Sequence, residues 1–527
     1  MSVFVACVDI DGIGMNINNV ISYKGQTQPP VTSSNQSPKP TKTSIFYIND
    51  LHGQIPKMQR LFSAAQHVDL IGKQNGADVL KFSSGDTFIG EDIKRNTVAS
   101  TFLKMSGIDA EALGNHEFDI TATKCRELLR DSKTKLLGMN LNFPQPPCSL
   151  AQNVDRSTII KGENGEMYGV IGIQPPDLET RVKDKAKLLE GITVDNEQQT
   201  IKELQQEVDM LKKQGINKIV LLSHTGNKFE KKVAQSVSGI DVILGGHSHD
   251  LIKGVKEGEN LLYSPNGEPV VITQAGRDGN NFGVLNLEFN ENGQITSVQN
   301  NIIDTNVYSP NLIMSKTVDS IVGKSPVIGS LKYVDPLPGN IMEENPWADF
   351  VSDAMKNTHD ADIALVNSAN FRGSVDLGTI TERDIYSIFP FENKLVKVKL
   401  SEKDLVDAIK HCAKTLINEN NKPGILQVSG LEYTMNKKGE VLDVTFVDKT
   451  GNKQKIDVNN PNPNKEYSVV YDEFLLNGGD KCEMLKRDES QIIQRYEYDK
   501  DKVTIDYIKS LQQPFEVRKD GRIKIVD

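Results

Sequence analysis

Cysteine is scarce in this chain: five occur in 527 residues (Cys7, Cys125, Cys148, Cys412 and Cys482), with no Cys-x-x-Cys pair. That pattern excludes a zinc–thiolate site and a disulfide framework, and an odd count leaves at least one thiol free. Tryptophan occurs once and histidine only eight times. No run reaches the ~18–20 apolar residues a membrane helix needs, so no transmembrane segment is expected. Basic excess is also missing. The formal charge is −10, which argues against binding duplex nucleic acid, because that requires a basic face. Residues 1–8 are apolar but lack a positive start and run directly into Asp9 and Asp11, so they do not read as a signal peptide.

What is present suits a two-domain globular protein, since 527 residues exceed what one ordinary core holds. Residues 25–43 are rich in Pro, Ser, Thr, Gln and Asn, so residues 1–43 are expected to form a flexible N-terminal segment. From residue 44 short apolar runs alternate with amphipathic stretches, the pattern of α/β layers with largely buried strands. Strands are expected at 44–48, 78–82, 110–113, 136–139, 168–173, 218–222 and 242–244. Helices are expected at 58–73, 92–105 and 197–214, and residues 270–289 read as an antiparallel closing pair. The first domain is placed at 44–305 and a linker at 306–339, where a helix over 311–322 meets a Pro/Gly loop. A second unit spans 340–527, with helices at 347–358 and 401–415 and a strand at 363–367.

Five of the eight histidines fall in short polar segments, each directly after an apolar run. These are Asn49-Asp50-Leu51-His52-Gly53, Ser84-Gly85-Asp86, Gly114-Asn115-His116-Glu117, Ser223-His224-Thr225-Gly226 and Gly245-Gly246-His247-Ser248-His249. In an α/β sheet, function collects where strands give way to loops. Asp50 and His52, two apart, can project to one side of a strand end. Asp86 after Gly85 is a carboxylate able to bridge two cations, Asn115 offers an amide oxygen, and His224, His247 and His249 offer imidazole nitrogens. Mixed nitrogen and oxygen donors suit Zn, Mn or Fe rather than Mg or Ca. Two such ions side by side can activate water and clamp an in-line phosphoryl displacement. His116, next to a candidate ligand, is free to act on the transition state or leaving group, with Asp119 fixing its tautomer. Each segment alone is unremarkable; the ordered set of five is not. His67, His359 and His411 read as surface or packing residues, and Glu117, Ser248 and Asp250 as loop supports.

This ordered set resembles the calcineurin-like metallophosphoesterase domain, and from residue 44 to the C-terminus the chain resembles the 5′-nucleotidase family. The resemblance implies a four-layer α/β/β/α domain carrying two divalent metals and a smaller α/β substrate-binding domain. It implies one metal on Asp50, His52, Asp86 and His249, a second on Asp86, Asn115, His224 and His247, and a catalytic dyad of His116 and Asp119. In the second half, Asn367-Ser368-Ala369-Asn370-Phe371-Arg372-Gly373 is similar to the family's Asn-Gly-Gly-Gly-Ile-Arg segment. Phe389-Pro390-Phe391 and the run from Asp472 to Asp480 resemble its nucleoside-binding segments. By that resemblance Phe391 and Phe474 sandwich the base, Asn367 binds the base or ribose, Asp480 the ribose hydroxyls and Arg372 the phosphate.

Two departures stand out. No arginine occurs between Gly329 and Arg372, where the family's 5′-nucleotidases carry extra phosphate ligands, and Ala369 and Asn370 replace glycines. The expected activity is removal of phosphate from small nucleotides. The alternatives are a 2′,3′-cyclic-nucleotide phosphodiesterase/3′-nucleotidase, a UDP-sugar hydrolase, or a catalytically silent nucleotide-binding surface protein. The family resemblance implies an extracellular, periplasmic or surface location, for which this N-terminus offers no export signal.

Overall fold

A computed structural model describes residues 21–22, 40–130, 132–338, 340–371, 375–389, 391, 393–417 and 424–527. The chain divides into two compact units: residues 1–52 with 58–311, and 53–57 with 312–527.

The first unit is built on two sheets. In the eight-stranded sheet, Thr41–Ile48, Asp78–Ser83, Ala110–Ala112 and Lys135–Leu137 run parallel. In the six-stranded sheet, Met167–Ile173, Ile219–Ser223, Val242–Gly245 and Pro269–Thr273 do the same. Strand side chains alternate between faces, and the cores follow that alternation. Ile45, Tyr47, Leu80 and Phe82 of one sheet share a buried core with Val170, Val220, Leu222 and Leu244 of the other. The opposite parity, Ile171, Ile219, Leu221 and Ile243, packs with Leu204, Val208, Leu211, Phe229 and Val233 from the helices Glu197–Lys213 and Asn227–Ser236. Helices Ile55–Gln74 and Ile93–Ser106 complete the α/β/β/α layering.

The expected closing pair over 270–289 is not one. Pro269–Thr273 pairs with Val242–Gly245 and Leu261–Tyr263 in the six-stranded sheet. Asn281–Phe289 instead joins the eight-stranded sheet, antiparallel to both Thr41–Ile48 and Ile295–Asp304. The segment between them crosses from sheet to sheet through left-handed backbone at Gly276, Asp278 and Gly279. Strand alternation does not specify which sheet a strand joins.

In the second unit a five-stranded sheet carries Ile363–Asn367 beside Glu466–Asp472. Ile363 and Leu365 face a core with Leu405, Val406 and Ile409 of helix Glu402–Ala413. Ala364 and Val366 face another core with Trp347, Val351 and Met355 of helix Pro346–Thr358. Asn345 caps the latter helix by accepting the Trp347 N–H, and Pro346 opens it, a position where a missing N–H costs nothing. The helix Leu312–Val322 and strand Val327–Val334 fall within the stretch expected to be linker. That strand pairs with Gly378–Thr381 and Phe515–Val517, which ties it to the second unit.

Candidate metal centre

The parallel register brings the polar segments level. Ile48 lies opposite Ser83, Ser83 opposite Glu111, and Ser223 opposite Gly245, so the residues that follow gather at one edge of the sheets. Backbone bonds then lock the turns together: Asp50 N–H donates to Gly85 O (2.9 Å) and His52 N–H to Asp86 O (2.8 Å). Asp50, His52, Asp86, His247 and His249 all have φ between 49° and 73°. Left-handed backbone is uncommon for such residues and marks stored strain at functional sites. Gly114 allows the closest approach. A Cβ there would stand 2.2 Å from Asp86 Oδ1.

Donor atoms of Asp50, His52 and His249 lie within 4.8 Å of one another, as do those of Asp86, His224 and His247, and those of His52, Asp86 and His116. His249 Nε2 is 3.2 Å from Asp50 Oδ1, His224 Nε2 3.1 Å from Asp86 Oδ2, and His52 Nε2 3.6 Å from Asp86 Oδ2. Two of the rings are aimed by their other nitrogen: His52 Nδ1 faces Asp278 Oδ1 (2.9 Å) and His224 Nδ1 faces Ser84 O (2.6 Å). Asn115 Oδ1 and His224 Nε2 are buried and make no hydrogen bond among the described residues. Buried polar atoms normally have partners, and of these two His224 Nε2 lies in the set of carboxylate and imidazole donors. The residues present therefore fit a mixed nitrogen/oxygen cation site.

Electrostatics agree. Burial pushes the carboxyls of Asp50 and Asp86 up, but neighbouring histidines outweigh it and hold both well below the usual range. Burial drives His247 well below its ordinary value, and drives His249 down to about 4 against the pull of Asp50. Burial also opposes a proton on His224, but Asp86 and Asp50 win and raise it to about 10. Deprotonated carboxylates and neutral imidazoles are the metal-binding forms; a proton on His224 balances charge that a cation would otherwise balance.

His116 differs from these. Its side chain is 17% exposed, whereas those of His52 and His224 are fully enclosed. Nδ1 meets Asp119 Oδ2 at 2.7 Å, and that oxygen also accepts the Gly90 N–H (2.7 Å). That contact favours the Nδ1–H tautomer and leaves Nε2 without this partner. Glu117 supports the loops by accepting N–H bonds from Asp86, Phe88 and Gly114. Ser248 does so through Asp250 (2.7 Å).

Sequence reasoning missed Asp278, Asn49 and Gln274. Asn49 donates to Asp50 Oδ2 (2.7 Å) and receives the Ala275 N–H (2.8 Å). Gln274 Nε2 donates to Gly246 O (3.1 Å). Asn49 opens the first polar segment, and the sequence signal for the other two is a polar, glycine-bearing stretch, Gln274-Ala275-Gly276-Arg277-Asp278-Gly279.

Of the residues singled out in the second unit, Asn367 and Asp480 meet directly. Asn367 ends its strand and donates to Asp480 Oδ2 (2.9 Å). Asn370 donates to Asn367 Oδ1 and to Asp472 Oδ2, and Lys500 Nζ donates to that same Asp472 oxygen (3.1 Å). His411, read as surface or packing, meets Asp480 O through Nε2 at 3.0 Å. Phe371 and Phe389 are core residues, at 5% and 2% exposure, whereas Phe474 is 37% exposed and Phe391 half-buried. Gly479 lets the Phe474 ring lie against the backbone, since a Cβ there would come within 2.5 Å of it. Arg372 lies outside the described residues.

Comparison with known proteins fits this architecture. Residues 43–251 match the calcineurin-like phosphoesterase model and residues 327–487 match that of the 5′-nucleotidase C-terminal domain. The chain belongs to the 5′-nucleotidase family. It is 26% identical over 488 residues to the trifunctional nucleotide phosphoesterase protein YfkN of Bacillus subtilis, covering 83% of this chain and 32% of that protein. The chain thus spans about a third of that relative's length. It is 24% identical over 541 residues to 5′-nucleotidase of Mus musculus, covering 91% of this chain and 90% of that one. A crystal structure of a 5′-nucleotidase precursor from Thermus thermophilus shares the fold at TM-score 0.69 and 23% identity, covering 92% of this chain and 99% of that chain. As a family member the chain is a metal-dependent phosphoester hydrolase. No described helix is long and apolar enough to cross a membrane.

Proposed function

We propose that this phosphohydrolase releases phosphate from nucleotides, in the manner of a 5′-nucleotidase, using two divalent cations of the Zn, Mn or Fe class. Asp50, His52, Asp86 and His249 would hold one ion; Asp86, Asn115, His224 and His247 would hold the other, with Asp86 shared. The observation that carries this reading is the meeting of two donor clusters, Asp50/His52/His249 and Asp86/His224/His247, with Asp86 Oδ2 also 3.6 Å from His52. When bound, such a pair supplies Lewis-acid charge at phosphoryl oxygens and lowers the pKa of water. His116, oriented by Asp119, presents Nε2 to the phosphoryl or leaving oxygen and moves the proton there. In the second unit Phe391 and Phe474 would stack the base, Asn367 and Asp480 hold base and ribose, and Arg372 the phosphate. The exposed Phe474 ring and the Asn367–Asp480 hydrogen bond support that assignment.

A hydrolysis panel read by chromatography of the products tests it: AMP, 3′-AMP, cyclic 2′,3′-AMP and UDP-glucose, each with Mn²⁺, Zn²⁺ or EDTA. AMP turnover that depends on metal is expected. Preference for the cyclic or 3′ substrates, or for UDP-glucose, would transfer the assignment to those activities. No hydrolysis of any of the four, with ligand binding intact in Asp86→Asn, would make the chain a nucleotide-binding protein.

A further inference from the structure

The C-terminal unit has a second cluster of metal-capable side chains, in which ligand oxygens of Glu344, Asp349 and Asp520 lie within 4.8 Å of one another. What separates it from ordinary surface acidity is Asp349, which is 1% exposed. Neither of its carboxylate oxygens makes a hydrogen bond among the described residues. The nearby cation pairs with it by charge but donates no hydrogen bond to it. Arg522 has five N–H donors. Nε goes to Asp520 Oδ1 (2.8 Å), Nη1 to Asp353 Oδ1 (2.8 Å) and Val428 O (3.0 Å), and Nη2 to Asp353 Oδ2 (3.0 Å) and Asp520 Oδ2 (2.6 Å). The closest approach to Asp349 is Nε at 3.7 Å, beyond hydrogen-bond reach. Glu344, which accepts the Arg522 backbone N–H at 2.9 Å, brings another carboxylate. Three carboxyl groups (Asp349, Asp353 and Asp520) thus face the guanidinium and Glu344 holds the Arg522 backbone, and one of the four, Asp349, is buried without a hydrogen-bond donor. Asp520 and Arg522 also line a surface cavity of about 270 Å³, so one carboxylate of the cluster is open to solvent.

We propose that Glu344, Asp349 and Asp520 bind a hard divalent cation of the Ca²⁺ class. All three ligands are carboxylates, and oxygen-only donors select Ca²⁺ over the softer ions suited to a His/Asp centre. The ion would pin residues 520–522, near the chain's end, to the first turn of helix Pro346–Thr358, where Asp349 sits. The competing account is a proton shared by Asp349 and Glu344. Burial raises the Asp349 carboxyl to about 9, despite the pull of Arg522, so an unmetallated cluster would hold that proton at neutral pH.

The chain's single tryptophan, Trp347, lies two residues from Asp349 and is 2% exposed, which makes the site addressable. Zn²⁺-loaded full-length protein would be titrated with Tb³⁺, a luminescent stand-in for Ca²⁺, with excitation at the red edge of tryptophan absorption. Tryptophan-sensitised Tb³⁺ emission is expected, displaced by excess Ca²⁺ and lost in Asp349→Asn. The exposed Asp520→Asn variant should weaken the emission and remove the rise in unfolding temperature that Ca²⁺ gives the wild type, which keeps the test decisive if Asp349→Asn fails to fold. Absence of sensitised emission in the wild type, or emission unchanged in Asp520→Asn, would overturn the proposal in favour of the shared proton.

Discussion

His52 Nδ1 sits 2.9 Å from Asp278 Oδ1, a contact between residues 226 apart in sequence. Asp278 reaches it from the crossover between the two sheets, and its own N–H donates to Asp50 O at 2.6 Å. One residue therefore fixes a candidate ligand ring and the backbone of a candidate carboxylate ligand. Carboxylates in this position orient metal-bound histidines, and their loss commonly weakens metal affinity roughly 10–100-fold. Asp278→Ala is expected to lose metal to a chelator at a correspondingly lower concentration. Equal metal retention in variant and wild type would remove Asp278 from the support of the centre.

Metal content separates the catalytic role proposed for His116 from the ligand role proposed for its neighbours. His116→Ala should lower kcat on AMP by roughly 10²–10⁴ while the protein keeps its full complement of metal. Asp119→Asn should lose part of that activity by permitting the other tautomer of the ring. A His116 variant that is depleted of metal would reassign the residue as a ligand.

Phe474 is 37% exposed, which leaves ring surface open to a stacking base. Stacking of a base is worth ~1–3 kcal/mol, so Phe474→Ala should raise KM for AMP by about 5–150-fold. Hydrolysis of a phosphate ester with no base, such as glycerol phosphate, should be unaffected. An equal loss on both substrates would place the ring in general packing.

His359 provides a pH-dependent test of stability. The residue is 6% exposed and its ring stacks on Tyr496 with centroids 4.0 Å apart, with Tyr498 beyond and Lys397 Nζ bonded to its carbonyl. Burial, helped by Lys397, lowers its pKa from 6.5 to about 4. The unfolded chain therefore binds the proton more readily, so the contribution is whole above pH 6.5 and is lost as pH falls toward about 4. The wild-type unfolding temperature should fall across that window more steeply than that of His359→Phe; parallel curves would contradict the assignment.

Much of this was legible without coordinates. The five polar segments stood out because each follows an apolar run, and parallel strands that end level must gather such segments at one edge. The helices Glu197–Lys213 and Pro346–Thr358 carried their periodicity and caps in the residues themselves. By contrast, residues 270–289 read as one hairpin because alternation reports burial and says nothing of which sheet a strand joins. His411 read as packing because nothing near it in sequence announces its bond to Asp480.

The chain alone determined its donor chemistry: two aspartates, one asparagine and four histidines in order, with His116 and Asp119 three residues apart. Those follow from residue type and short spacing, which local structure preserves. Only the tertiary structure decided that Asp278 steadies His52, that His116 stays reachable while His52 and His224 are enclosed, and that Asp349 is buried without a donor beside Glu344 and Asp520. The reason is physical. Burial and long-range hydrogen bonds are set by which strands and turns the fold brings together, and that information is absent from any local stretch of sequence.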